Sequence, residues 1–192
     1  MKAVVVLFAI FQICIVNVVA QHVELSDAPV NTIKIGVGPT LFGYGDITGL
    51  MQYTEYSRLL VPYVQVSIGF SLAQASSTNY RWQQAAAKTL DFSLKFVPFR
   101  SRRQNFKIGT GVSARRLIDI YSIGSRTYER GNIPVLIEEF EKQTFNSVGY
   151  SVLLEYDYFL TERWSLGTRA SFQNYKVGST VLFVDINGGV RF

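Results

Sequence analysis

The sequence predicts an all-β fold, an eight-stranded antiparallel up-and-down transmembrane β-barrel, and three observations predict it. Apolar and polar residues alternate with period two through most of the chain after residue 31, the mark of strands with two unlike faces. The more polar face is crowded with glycine and serine rather than with long solvated side chains. The links between alternating segments are short at one end and mostly longer at the other. That is the habit of barrels that cross a membrane with tight turns on the inner side.

Composition narrows the field. Of 192 residues, 17% are charged and 14% aromatic. A disordered chain would be rich in charge and poor in aromatics. The single cysteine, Cys14, cannot form an intramolecular disulfide. No Cys/His cluster suggests a metal site, so no cofactor is expected. The formal charge of +5 is modest and scattered along the sequence, which argues against a nucleic-acid partner.

Residues 1–20 read as a cleaved secretory signal peptide. Lys2 precedes an apolar stretch through Ile15, and Val18-Val19-Ala20 leads to a cut before Gln21. Gln12 and Asn17 interrupt the stretch, leaving it short of a membrane anchor. Residues 21–31 would be a periplasmic N-terminal segment and 32–192 the barrel.

The strands follow in order. The first sets Ile33, Ile35, Val37 and Leu41 against Lys34, Gly36, Gly38 and Thr40, with Pro39 suggesting a bulge or an early end. The second, about Leu50–Arg58, alternates most faintly: Leu50, Thr54 and Tyr56 oppose Tyr53, Glu55 and Ser57. In the third, Val64, Val66, Ile68, Phe70 and Leu72 oppose Gln65, Ser67, Gly69, Ser71 and Ala73. Leu90, Phe92, Leu94 and Phe96 oppose Asp91, Ser93, Lys95 and Val97 in the fourth. The fifth has Phe106, Ile108, Thr110, Val112 and Ala114 against Lys107, Gly109, Gly111, Ser113 and Arg115. Val148, Tyr150, Val152, Leu154, Tyr156 and Tyr158 oppose Gly149, Ser151, Leu153, Glu155 and Asp157 in the sixth. Trp164, Leu166, Thr168, Ala170 and Phe172 oppose Ser165, Gly167, Arg169, Ser171 and Gln173 in the seventh. The eighth is the most regular, with Leu182, Val184, Ile186, Val190 and Phe192 on one face and Phe183, Asp185, Asn187, Gly189 and Arg191 on the other.

Links at 59–62, 100–104 and 161–163 are short, while those at 42–49, 76–86 and 121–143 are longer. The longest of them carries the candidate recognition residues Arg126, Tyr128, Arg130, Ile133 and Leu136. A segment this long is either a functional loop or a pair of strand extensions, and the sequence leaves both open.

The polar face decides which side is inside. Glycine weakens a solvated strand, yet a narrow eight-stranded interior needs small residues to fit side chains from every wall. Charges on that face nearly cancel. Lys34, Lys95, Lys107, Arg115, Arg169 and Arg191 stand against Glu55, Asp91, Glu155, Asp157 and Asp185, as expected of a paired lumen where lone ions are costly. Tyr63, Phe96, Phe99, Phe106, Tyr158, Phe159, Trp164 and Phe192 cluster near the short turns, as an aromatic girdle at headgroup level would.

With these features residues 32–192 resemble the small eight-stranded outer-membrane β-barrel family of Gram-negative bacteria, the OmpA-barrel/OmpX-like family. The Val19-Ala20-Gln21 junction and the closing Gly188-Gly189-Val190-Arg191-Phe192 look like its Bacteroidetes branch. Leu182, Val184, Ile186, Val190 and the terminal Phe192 resemble the β-signal read by the barrel-assembly machinery, with Gly188 as its one gap. The resemblance implies outer-membrane lipid and that machinery as partners, localisation in the outer membrane, and no catalytic residues. With the chain ending at Phe192, it implies a barrel without the peptidoglycan-binding domain of OmpA.

The function expected is therefore non-enzymatic: a structural, adhesive or complex-accessory barrel with a plugged polar lumen, and a protein partner through residues 121–143. The alternative is a secreted or periplasmic soluble β-barrel binding protein with its apolar face inward. A small-solute channel conflicts with an interior that side chains fill. A lipid-modifying enzyme would need a histidine near its serine, and the only histidine, His22, precedes the strands.

Overall fold

The computed structural model describes residues 31–43, 47–77, 83–130 and 133–192. The side chains of residues 128–130 and 133–136 fall outside that description. So do the expected signal peptide and residues 21–30.

Eight strands follow one another around a ring. They are β1 (Asn31–Phe42), β2 (Ile47–Val61), β3 (Val64–Ser77), β4 (Gln83–Arg100), β5 (Gln104–Arg130), β6 (Ile133–Phe159), β7 (Trp164–Tyr175) and β8 (Val181–Arg191). Each pairs antiparallel with the next, and β1 pairs with β8 to close the barrel. Closure removes the sheet edges that would otherwise invite aggregation. The shortest strand, β8, has 11 residues, about what a tilted strand needs to cross a bilayer.

The period-two pattern settles the faces. Along β8 burial alternates strictly, with Phe183, Asp185 and Asn187 inside and Leu182, Val184 and Ile186 outside. The faintest segment obeys the same rule: in β2 Tyr53, Glu55 and Ser57 are buried, while Leu50 and Tyr56 are exposed. The outside is a continuous apolar band in which Ile35 is 64%, Phe92 58%, Val112 58% and Ile186 67% exposed. Soluble monomers rarely present an apolar patch of that extent.

Pro39 neither bulges nor ends β1. The β1–β8 register is the same on both sides of it, Val37↔Ile186 and Thr40↔Phe183. Its ring points outward. The missing N–H is tolerated because Gly38 and Pro39 are skipped in the ladder with β8 while both still pair with β2. Gly38 is required there for another reason: a Cβ would fall 2.6 Å from Asp185 Cα. It lets the two strands that close the ring approach each other.

Tight links Pro62-Tyr63, 101–103 and 160–163 sit at one end, together with Asn31 and Phe192. These two residues join the termini of the ring, each N–H donating to the other's carbonyl at 3.0 Å. At the opposite end Gly178 turns the chain between β7 and β8 with a φ of 87°, a left-handed conformation that suits glycine.

The segment 121–143 is not a loop. β5 and β6 continue through it as paired strands to Arg130↔Ile133. Pairing of β5 with β4 stops at Tyr121, and pairing of β6 with β7 stops at Gly149. Just beyond, Val148 and Ser147 still accept from Lys176 and Val177; past them the two strands pair with each other as a ribbon that stands roughly 30 Å clear of the rim at ~3.3 Å per residue.

Candidate functional site

The interior is filled in two layers. Nearer the short turns lies an ionic network built from one face of β1, β2, β4, β5, β6 and β7. Glu155 is its hub. It accepts from Lys95 at 2.7 Å and from Lys107 at 2.8 Å, and also pairs with Lys34. Asp157 pairs with Lys107 at 2.7 Å and with Lys34. Glu55 pairs with Lys95 and accepts from Arg169 Nη1 at 2.9 Å. All seven side chains are buried.

The pairs cross the lumen more often than they follow the sheet. Lys107 and Glu155 are cross-strand neighbours. Arg169, however, stands beside Glu155 and Asp185 in register yet bonds Glu55 on β2. Lys34 stands beside Glu55 yet bonds carboxylates of β6. Each crossing pair ties strands two or three places apart around the ring, and a charge without its partner in so buried a place would cost several kcal/mol.

The other charges expected in the network are placed differently. Asp91 accepts from Ser113, and from Gln173 Nε2 at 3.1 Å. Asp185 accepts from Asn187 at 2.8 Å. Arg115 lies higher, 3.8 Å above the Tyr175 ring, and donates to the Ser179 carbonyl at 2.7 Å. Arg191 lies at the short-turn end, 3.4 Å from the centre of the Phe159 ring. That ring is buried, so Phe159 leaves the expected girdle: its position on β6 has the parity of Asp157 and points inward.

The second layer is apolar, and the sequence did not announce it. Phe42, Ile47, Met51, Leu117, Tyr175, Val181 and Phe183 pack toward the long-hairpin end, with Ala73, Ala75, Ala85 and Ala87 among them. The lumen is thus polar only in part. Tyr53 joins the layers: its ring meets Phe183 edge-on at 5.8 Å and has the Arg169 guanidinium 4.7 Å from its centre. Together the layers leave no described cluster of acids, histidines or cysteines fit for a metal.

Outside the lumen, Arg126 Nε pairs with Glu139 at 2.9 Å across the hairpin, both side chains exposed to water. Tyr128 pairs with Val135, Arg130 with Ile133 and Thr127 with Leu136 along the backbone. The side chains of Tyr128, Arg130, Ile133 and Leu136 lie outside the described residues. Leu182, Val184, Ile186 and Phe192 are exposed on the outer face of the last strand and its end, with Val190 half-buried among them.

No family model and no curated protein matches the chain. Solved structures do. Ail, the attachment invasion locus protein of Yersinia pestis, superposes with a TM-score of 0.60 at 9% identity, covering 86% of this chain and all (100%) of that one. Neisserial surface protein A gives 0.57 at 11% identity, covering 84% and 97%. A major outer membrane protein of Thermus thermophilus gives 0.54 at 12% identity, covering 84% and 99%. At such identities the likeness is one of backbone, and the backbone found here, eight antiparallel up-and-down strands closed in one ring, is the fold of the small outer-membrane β-barrels.

Proposed function

We propose that the chain spans the outer membrane of a Gram-negative cell as a sealed, non-enzymatic barrel and acts through the β5–β6 hairpin held above the surface. The observation that carries this reading is the inversion of a soluble protein: an exposed apolar band surrounds an ion-paired interior. In lipid the band is solvated and every strand finds a neighbour, as the hydrocarbon requires. A soluble binding barrel would keep its apolar face inside.

The role is structural, adhesive or accessory to another envelope complex. The hairpin supports it, because a ribbon of two paired strands that runs past their ladders with β4 and β7 offers main-chain donors and acceptors to a protein partner. The Bacteroidetes-type junction at Gln21 and the closing strand support export and delivery to the barrel-assembly machinery. Removing Phe192 should lower assembly yield while export across the inner membrane continues.

Fractionation with gel mobility before and after boiling tests the reading. The mature protein should start at Gln21, sit in the outer-membrane fraction and migrate faster unboiled. Recovery wholly in the soluble periplasmic fraction would contradict it.

A further inference from the structure

Arginine gathers at the short-turn end. Arg58, Arg100, Arg102, Arg103, Arg163 and Arg191 lie in or beside the links there. Among the described residues the exposed acid at this end is Glu162; Asp157, deeper inside, is held by Lys34 and Lys107. The opposite end is mixed, with Lys88, Arg116, Arg126, Lys142 and Lys176 beside Asp119, Glu138, Glu139 and Glu141. The excess charge that looks scattered along the sequence is therefore concentrated by the fold.

Hydrogen bonds hold several of these links in place. Arg191 donates its N–H to the Arg163 carbonyl at 2.8 Å, and Phe159 donates to the Arg103 carbonyl at 2.8 Å. Asn31 links the Phe192 backbone to its register partner Arg58. Arg100 Nη1 donates to the Pro62 carbonyl at 3.1 Å. Arg100 and Arg191 line a small vestibule with Thr32, Gln65 and Asn105. Among the described residues none of the six is in an ion pair.

Beside this rim stands the edge of the apolar band. Phe99 is 67%, Leu160 63%, Trp164 58%, Phe192 58% and Leu60 57% exposed. A ring of cations directly beyond an apolar girdle matches the two halves of an anionic lipid. Guanidinium also has the planar fork that fits two phosphate oxygens, and its charge does not titrate away.

We propose that the short-turn end is a binding surface for the headgroups of anionic phospholipids in the adjoining leaflet. Arg58, Arg102, Arg103 and Arg163 make the contacts, and Arg100 and Arg191 add positive field from the vestibule. The inference rests on the membrane reading above, and the two fail differently.

The test uses the mature barrel refolded in detergent micelles with equal phosphatidylglycerol and phosphatidylcholine, followed by native mass spectrometry. Phosphatidylglycerol should be retained several-fold over phosphatidylcholine, since each arginine near an anionic lipid surface is worth roughly a fivefold gain. The combined variant R58Q/R102Q/R103Q/R163Q should keep heat-modifiable mobility and lose the preference. The variant R116Q/K142Q/K176Q, at the other end, should keep it. Excess inorganic phosphate should not displace the lipid. Equal retention by the wild type, a preference unchanged in the rim variant, or full displacement by phosphate would each overturn the proposal while the membrane reading stood. A chain that forms no heat-modifiable barrel would bring down both.

Discussion

The two layers of the lumen solve the same problem by opposite chemistry. Both are made of inward-facing residues, on strands that overlap only in part, and both fill the interior of one ring. Near the short turns the filling is Lys34, Lys95, Lys107 and Arg169 against Glu55, Glu155 and Asp157. Toward the hairpin it is Phe42, Ile47, Met51, Leu117, Val181 and Phe183. The apolar layer gains from burial and tolerates changes of similar volume. The ionic layer gains little against an apolar equivalent, but losing one member is severe because the others stay buried and charged. Its contribution is geometric: pairs that cross the lumen fix which walls face each other.

The largest effect should come from the hub. Glu155→Gln leaves three buried lysines short of a carboxylate, and the loss should be at least ~3–5 kcal/mol, read from the urea midpoint of the barrel in lipid vesicles. Phe183→Ala, in the other layer and 3% exposed, should cost about 3 kcal/mol in the same assay through lost burial and cavity. A Phe183→Leu change should recover most of that, whereas Glu155→Asp should recover little, because its shorter arm cannot span three partners. Arg169→Leu should cost about 2 kcal/mol, less than a fully broken pair, because Glu55 keeps Lys95. Lys142→Leu, exposed on the hairpin, should leave the midpoint unchanged. Equal losses for Arg169→Leu and Lys142→Leu would mean that the ionic layer is wet.

These contrasts also explain what the sequence disclosed. Alternation was legible wherever the two faces differ in chemistry, as in Leu182 to Arg191 or Leu90 to Lys95, and there it gave strand, face and barrel together. It was silent where both faces are alike. In Val181-Leu182-Phe183-Val184 every residue is apolar, so these four carry no alternation of their own; Phe183 takes its face from Asp185 and Asn187 further along, and nothing there announces an apolar layer inside. In Glu138-Glu139-Phe140-Glu141-Lys142 both faces meet water, so a paired ribbon has the look of a loop. Partners in the network were out of reach for a different reason. Lys34 and Glu155 are 121 residues apart, and their meeting depends on the register of every strand between them. The inward turn of Phe159 was readable in principle, since it shares the parity of Glu155 and Asp157, but its aromatic character pointed to the girdle.

The central claim is that two unlike layers together seal one barrel in a membrane, and steady conductance in planar bilayers tests it most directly. The account predicts a wild-type barrel that inserts, as judged by heat-modifiable mobility, and passes almost no steady current. A large, stable, porin-like conductance from the inserted wild type would contradict it.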